Sequence, residues 1–485
     1  MTPARLRLAA VLTACLLITA ACSGAKSPED AAKSVSAGEQ PTTDSGIDPD
    51  AAATDGSDPA GPSGTVKGAT STGKKSTKPG ATTNGTAPQA PPLPAPPGFV
   101  PSSLFNAGED RTGMTDNSIA MCAHAALTYG PAFNTSADDL NVYWTARNEK
   151  GGVHGRRVSV TYENDDYKPD TAVTAAKACE AKKIFMLLGG IGFDQIPAVR
   201  NWAESARMLY LHHTATVNGS GGKKFSYTSL PSTERMGEMF GELAMTRFKG
   251  KKIGIISRDS DNWSPGVDAF RKVVGNQVTI VGEEKVQGSK GYYVQELRNL
   301  QTKGAEVVWL WENALAATEI VKQSKAQAWS PTFMVFPFNL TSQTLGDDAL
   351  NPKMYGVAMF SAYSFRDYSG SFAAYADDMK EFEAQYAKHR SSVDLSGVAG
   401  DLLFLNWQAQ KSMAKLLDIC GRDCGRNRFI DVLRTYKGRP TSSACDINFP
   451  GDSHLGATAV NITETYKTGD GKVNWRNINT CADKL

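Results

Sequence analysis

The residues of this sequence that come nearest to a known chemical motif are the glycines of residues 189–192, which follow a buried apolar run. A dinucleotide-binding fingerprint places a third glycine three residues after the second, where helix and strand pack closely. Gln195 occupies that position. The segment therefore does not predict a nucleotide site, although backbone N–H groups at the start of the following helix, near Asp194, are suited to an anion.

Catalytic and metal-binding spacings are missing from the sequence. It has neither a Gly-x-Ser-x-Gly elbow nor a His-Glu-x-x-His pair. His212 and His213 are neighbours on a predicted strand, so they face opposite sides and cannot chelate one metal. Residues 68–74 begin like a phosphate-binding loop, but Lys75 replaces the Ser or Thr that would hold magnesium. We expect no enzymatic activity, no cofactor and no metal.

Composition separates the chain into a linker and a folded part. The sequence has 52 Lys or Arg and 50 Asp or Glu, a net charge of +2, which argues against nucleic acid as a partner. Residues 22–112 carry almost no large apolar side chains. Such a segment cannot bury enough apolar surface to fold, so we expect a disordered linker.

Two series of alternating strands and helices follow the linker. The first series has predicted strands at residues 118–123, 156–162, 184–188 and 208–212, and the second, after Lys249, at 253–257, 278–281, 307–311 and 332–336. Strand, helix and strand at this spacing indicate a parallel sheet with right-handed crossovers. The sequence therefore predicts an α/β fold with two Rossmann-like doubly wound lobes.

The first residues predict export and a lipid anchor. Two arginines precede the apolar stretch 8–19, which is too short to span a bilayer. The stretch ends in small residues before Cys22, which resembles the lipobox of bacterial lipoproteins. Residues 1–21 are thus predicted to be a lipoprotein signal peptide and Cys22 to be lipidated. Two alternatives are an ordinary cleaved signal peptide and a loosely matching site at Cys15.

Six further cysteines predict disulfides. An even number of cysteines in an exported chain favours disulfides over metal binding, especially without Cys-x-x-Cys, although six allow 15 pairings. In a doubly wound sheet the helix between the second and third strands crosses over the first strand, which brings Cys179 over Cys122. The predicted pairs are Cys122 with Cys179, Cys420 with Cys424, and Cys445 with Cys481.

Four segments carry a family resemblance: LTYGPA, NEKGGVHGRRVSVTYENDDYKPDTAVTAAKACE, KKIGIISRDSDNWSPGVDAFRKVV and GAEVVWLWENALAATEIVKQSKAQ. Their order and spacing resemble the leucine/isoleucine/valine-binding protein family, the type I periplasmic solute-binding proteins. The resemblance implies a hinge of three crossings, with residues 113–229 and 339–438 in the first lobe and 230–338 and 439–485 in the second. It also implies a monomer, attached by its lipid to the outer face of the bacterial cytoplasmic membrane, with an ABC permease as partner.

The cleft between the lobes is the predicted binding site. Residues that follow predicted strands lie at the carboxyl edge of a sheet, where open α/β sheets bind ligands. Trp263 is assigned to the cleft because it lies in a polar loop where the family often has a cleft-facing aromatic. The predicted ligand-binding residues are Tyr129, Phe133, Gly190, Ile191, Gly192, Phe193, His213, Thr214, Thr216, Trp263, Asn313 and Phe338.

Two departures from the family affect the predicted ligand. Members that bind α-amino acids have Ser or Thr hydroxyls after the third strand, where this chain has residues 190–193, and an acid where it has Ala316, with Glu312 one helical turn earlier. The prediction is a lipoprotein that captures a small organic ligand, amino-acid-like or more apolar or aromatic, and delivers it to an ABC importer. The alternative is a lipid-anchored sensor that acts on a membrane signalling partner.

Overall fold

The computed structural model describes residues 104–105, 110–128, 135–212, 223–287, 290–337, 353–359, 363, 375–442, 445–449, 454–469, 471 and 473–485. The chain divides into two units, Met1–Asn84 and Gly85–Leu485, and all described residues belong to the second. No helix in this described part is long and apolar enough to cross a bilayer.

The first lobe is built on a parallel sheet with, among the described residues, five strands in the order β2-β1-β3-β4-β5. The order places β1 in the interior of the sheet, where both of its faces are covered, which explains its almost continuous apolar sequence. The strands are β1 (Ser118–Ala125), β2 (Arg157–Asn164), β3 (Leu187–Gly189), β4 (Tyr210–His212) and β5 (Ser226–Thr228).

Helices cover both faces of this sheet. One face packs against α3 and α4, and the other packs against α1, α2 and the helices near the C-terminus, α9 to α11. Ser136 caps α1 reciprocally with Asp139, and Pro169 and Pro197 lie in the first turns of α3 and α4, where a missing N–H costs no hydrogen bond. These helices are α1 (Ala137–Leu140), α2 (Val142–Glu149), α3 (Pro169–Ala181), α4 (Ile196–Ala206), α9 (Ala376–His389), α10 (Gly397–Cys420) and α11 (Arg426–Thr435).

The second lobe has a sheet of seven described strands in the order β14-β13-β10-β9-β8-β6-β7. Strands β6 to β10 pair in parallel, and β13 and β14 extend the sheet as an antiparallel hairpin. The strands are β6 (Lys252–Arg258), β7 (Thr279–Val286), β8 (Val307–Trp311), β9 (Thr332–Val335), β10 (Met354–Ala358), β13 (Val460–Lys467) and β14 (Val473–Ala482). This arrangement confirms the predicted fold class.

Four described helices accompany the second sheet, and an aromatic cluster forms part of its core. Trp309 stacks on Phe270 at 4.4 Å between ring centroids and lies 5.0 Å from Trp311. A Cβ on Gly237 would lie 2.0 Å from the carbonyl oxygen of Gly266, so glycine allows the first two of these helices to touch. The helices are α5 (Thr233–Arg247), α6 (Ser264–Val274), α7 (Val294–Thr302) and α8 (Ala314–Ala326).

The crossings between the lobes differ from the predicted boundaries. Strand β10 belongs to the second sheet because it pairs with β9 and β13, so the predicted return to the first lobe at residue 339 is too early. The third crossing extends beyond the predicted boundary at residue 439, because Ile447, Phe449 and Ala457 in it still pack against the first lobe. A short ladder there joins β11 (Lys437–Gly438) to β12 (Ile447–Asn448).

The predicted disordered linker is also too long at its end. Phe105 is 5% exposed, lies edge-on to Phe225 at 5.2 Å, and lies beneath the Arg426 guanidinium at 5.3 Å. Asp110 forms an ion pair with Arg426 at 2.9 Å. We call residues 104–105 and 110–113 the strap. The buried ring of Phe105 and the ion pair of Asp110 hold the strap against the first lobe.

All three predicted disulfides are present. Cys122 in β1 is joined to Cys179 in α3, across 57 residues of sequence. Cys420 is joined to Cys424 at the end of α10. Cys445, in the third crossing, is joined to Cys481 in β14.

Candidate functional site

Among the described residues, a loop from each lobe contacts the other lobe directly. The loop between β3 and α4 brings Phe193 and Asp194 from the first lobe, and the loop between β6 and α6 brings Asn262 and Trp263 from the second. The Phe193 and Trp263 rings lie 5.3 Å apart, and Nδ2 of Asn262 is 3.5 Å from the Phe193 carbonyl oxygen. Each loop follows a parallel strand, so the carboxyl edges of the two sheets face each other.

Both carboxylate oxygens of Asp194 are bound by donors of the second lobe. Nη2 of Arg258, at the end of β6, donates to Oδ2 at 2.8 Å, and Nε1 of Trp263 donates to Oδ1 at 3.0 Å. The side chains of Asp194 and Arg258 are 18% and 7% exposed. Because the pair is largely shielded from water and salt, it attracts more strongly than an ion pair on the surface.

Arg258 is shared with a second carboxylate, that of Glu312. Nη1 of Arg258 lies 3.3 Å from Oε2 of Glu312, which is fully buried and also accepts the backbone N–H of Asn313 at 3.0 Å. Burial raises the pKa of Glu312 to about 7, although Arg258 and the Asn313 amide oppose the rise. Burial alone would lower the pKa of Arg258, but Asp194 and Glu312 outweigh it and raise that pKa. Two carboxylates therefore compete for one cation.

Trp263 lies between the lobes, as predicted, but it is covered on both sides. It is 1% exposed, with Phe193 on one side and Trp311 and Phe336 of the second-lobe core at 5.4 and 6.2 Å. Its carbonyl oxygen accepts the Trp311 indole N–H at 2.6 Å. Trp263 is thus both a core residue and a contact between lobes, because its loop folds back onto β8.

The glycine-rich turn is shaped by Gln195. Gly192 has φ +137°, and a Cβ there would lie 2.0 Å from Nε2 of Gln195. That nitrogen lies 3.1 Å from both oxygens of Asp165 and 3.2 Å from the carbonyl oxygen of Ile191. Ile191, a predicted ligand contact, is 4% exposed and packs into the core of the first lobe. A Cβ on Gly190 would lie 2.5 Å from that of Ala125.

A buried polar network fixes the carboxyl edge of the first sheet. Nδ1 of His124 lies 2.8 Å from Oδ2 of Asp165, and Nε2 lies 2.8 Å from the Tyr210 hydroxyl. Asp165 also accepts the backbone N–H of Tyr167 at 2.9 Å. Burial raises the pKa of Tyr210, and the Asp165 charge adds to this effect. The network ties β1, β4 and the segment after β2 to the start of α4; the sequence shows its members but not that they meet.

The polar residues that follow β8 make contacts within the second lobe. Oδ1 of Asn313 caps α8 by accepting the backbone N–H of Ala316 at 3.0 Å. Ala316 is 1% exposed, so it offers nothing to a ligand amino group. Glu312, the possible substitute, is engaged with Arg258.

Half of the predicted ligand contacts lie outside the described residues and stay predictions. They are Tyr129, Phe133, His213, Thr214, Thr216 and Phe338. Among the described residues, no group of three or more His, Cys, Asp or Glu side chains could hold a metal ion.

A cavity of about 50 Å³ lies where the three crossings pass between the lobes. Leu230 of the first crossing, Met359 of the second and Cys445 of the third line it, together with Gln408 and Ser412 of α10. A cavity of this size holds water but no drug-sized organic molecule, which needs several hundred Å³. The loop contact described above, rather than this cavity, shows that the lobes approach each other in this structure.

Two α/β lobes, three crossings and a cleft between facing carboxyl edges define a type I periplasmic binding protein. A family model described as "Periplasmic binding protein" matches residues 129–435, which is more than half of the chain. The chain belongs to this family, whose members are solute-binding proteins located outside the cytoplasm.

Solved structures show the same fold. A fatty acid ABC transporter substrate-binding protein from Thermomonospora curvata has a TM-score of 0.63 and 14% identity over 78% of this chain and 95% of its own. A solute-binding protein from R. palustris in complex with benzoate has a TM-score of 0.59 and 13% identity over 76% and 98%. A leucine-binding protein from Thermotoga maritima has a TM-score of 0.58 and 15% identity over 74% and 97%. No curated protein matches the sequence.

Proposed function

We propose that this protein captures a small organic ligand between its two lobes and delivers it to the permease of an ABC importer. The observation that carries the proposal is the direct contact of the two carboxyl edges through Asp194, Arg258 and Trp263. The contact joins loops of different lobes, and closure of two lobes about a hinge can enclose a ligand and release it by opening. The proposal assigns no catalytic residue.

The ligand is proposed to be apolar or aromatic rather than an α-amino acid. An ammonium group needs a carboxylate, but Ala316 has none and Glu312 is buried against Arg258. A ligand carboxylate finds no hydroxyl in residues 190–193, where Ile191 turns into the core. The similar proteins above are a fatty acid transporter's substrate-binding protein, a solute-binding protein in complex with benzoate and a leucine-binding protein; fatty acids and benzoate lack an ammonium group.

We expect aromatic and aliphatic compounds without an ammonium group to raise the melting temperature of the protein, and α-amino acids to have no effect. A ligand at 100 times its Kd adds about 2.7 kcal/mol to the free energy of unfolding. A thermal-shift panel at millimolar ligand, followed by calorimetric titration of the hits, measures this.

Cells lacking the gene provide the control for transport. Loss of uptake of the identified ligand, restored by the intact gene, supports an importer. Unchanged uptake together with an altered transcriptional response to the ligand contradicts import and favours a sensor. An amino acid as the sole hit contradicts the ligand class.

We also propose a lipid anchor at Cys22, and expect Cys22→Ser to move the protein from the membrane fraction into the soluble one. The reason is that a thioether-linked lipid requires the cysteine sulfur, and serine cannot replace it. Immunoblots of salt-washed membranes measure the distribution. Cys15→Ser is the matched control and is expected to leave the protein on the membrane; a Cys22→Ser variant that resists the wash contradicts the anchor.

A further inference from the structure

One carboxylate accepts the two shortest described hydrogen bonds between these loops of the two lobes. Asp194 is the acceptor for two donors of the second lobe, the Arg258 guanidinium and the Trp263 indole N–H. Beside it, the Phe193 ring packs on Trp263, and Asn262 makes a longer contact of 3.5 Å. Opening the lobes separates Asp194 from both donors, whereas Arg258 and Glu312 stay together in the second lobe.

We propose that Asp194 is an interlobe latch whose strength is set by the protonation of Glu312, so that mild acidification favours the closed form. In the closed form Arg258 lies between two carboxylates, at 2.8 Å from Asp194 and 3.3 Å from Glu312. When Glu312 is ionised, it competes with Asp194 for the same guanidinium and repels the Asp194 carboxylate. When Glu312 is protonated, it no longer competes, and the ion pair between Arg258 and Asp194 is stronger.

Within the described part of the chain, charged or titratable groups face this carboxyl from three elements. Arg258 reaches it from β6, Asp194 from the first-lobe loop, and the Tyr293 phenol from the start of α7. Burial raises the pKa of Tyr293, so its phenol stays neutral near pH 7. The phenol of Tyr167, in the first lobe, interacts electrostatically with Arg258 and contributes to raising the pKa of that guanidinium. Burial gives Glu312 a pKa of about 7, so its charge changes in this pH range.

The direction of the pH effect follows from linkage. Asp194 approaches Glu312 only in the closed form and, after burial, contributes to raising its pKa to about 7. The closed form therefore binds the proton more tightly than the open form. Lowering the pH through about 7 must then increase the closed fraction, and raising it must favour opening.

The test measures the separation of the lobes in the full-length protein without ligand. Donor and acceptor dyes are attached through azide-bearing amino acids at Lys177 in α3 and Lys272 in α6, both exposed, which leaves the disulfides untouched. Single-molecule energy transfer then gives the closed-to-open ratio at pH 8 and pH 6. Wild type is expected to be more closed at pH 6.

Three variants separate the parts of the proposal. Asp194→Asn is expected to lower the closed-to-open ratio about tenfold at pH 6, the effect of losing one charged hydrogen bond, and by less at pH 8, where ionised Glu312 already weakens the latch. Glu312→Gln, which imitates the protonated acid, is expected to have at pH 8 the closed-to-open ratio that wild type shows at pH 6. Asp418→Asn, which removes a carboxylate paired with Arg147 at 2.9 Å within the first lobe, is the control and is expected to match wild type.

Two results would overturn the proposal. A ratio for Asp194→Asn equal to that of the control shows that the carboxylate does not hold the lobes together. A wild-type pH response in Glu312→Gln shows that another group sets it. Melting curves of each variant verify that the lobes are folded, and neither result bears on which ligand the protein binds.

Discussion

Trp263→Ala is expected to lower the free energy of unfolding by about 3–5 kcal/mol and to weaken ligand binding as well. The ring is 1% exposed and contacts Trp311 and Phe336 of the core, so truncation leaves a cavity in the second lobe. It also removes the hydrogen bond to Asp194 and the contact with Phe193 that close the lobes. Chemical denaturation and titration with the identified ligand measure the two losses.

Two further variants separate packing from closure. Trp263→Phe keeps most of the apolar ring but loses the indole N–H, so it is expected to lose less stability than Trp263→Ala while still weakening closure. Tyr292→Ala removes an aromatic ring of the second lobe that is 66% exposed and is expected to change stability by about 0.5 kcal/mol or less. If Trp263→Ala loses affinity at unchanged stability, the side chain is an exposed clamp and not a core residue.

Replacing both Cys122 and Cys179 by Ala is expected to lower the free energy of unfolding by about 4 kcal/mol. The disulfide closes a loop of 57 residues, and its loss returns that conformational entropy to the unfolded chain. Both cysteines are fully buried between β1 and α3, so packing is lost in addition. Urea denaturation of the oxidised protein measures the change.

The chain contains its own control for this effect. Cys420 and Cys424 are only four residues apart, and the same entropy relation gives about 2 kcal/mol for their disulfide. The Cys420→Ala/Cys424→Ala variant should therefore lose about half as much stability. Equal losses in the two double variants would show that loop closure is not the main source of the stabilisation.

Periodicity predicted the fold because each strand is a distinct apolar run between helices. Strand β8 was predicted with its observed bounds, Val307–Trp311. Strand β10 was missed because residues 354–358 stand apart from any helix pattern. The crossings were misplaced for the same reason: a segment's lobe depends on its pairing partner, as with β10 on β9, and a partner distant in sequence leaves no local signal.

The site was harder to predict because its residues are brought together by contacts within and between the lobes, and such contacts leave no local pattern in the sequence. Trp263 looked exposed in a polar loop, yet it folds back over Trp311. Arg258 does have a signal in the sequence. A charged residue at the end of an apolar strand needs an oppositely charged partner, and Arg258 has two, Asp194 and Glu312. Asp165 likewise gave no sign of His124, which lies 41 residues earlier in the sequence.

The strap determines how the folded protein responds to a pulling force. Arg426 binds Asp110 on one side and, on the other, donates to the carbonyl oxygens of Ile184 and Phe185, just before β3. Tension applied through the preceding chain thus enters the first lobe at the amino edge of its sheet, opposite the edge that faces the second lobe. A pull on the preceding chain is therefore delivered directly to the first lobe and reaches the second lobe only through the connections between the lobes.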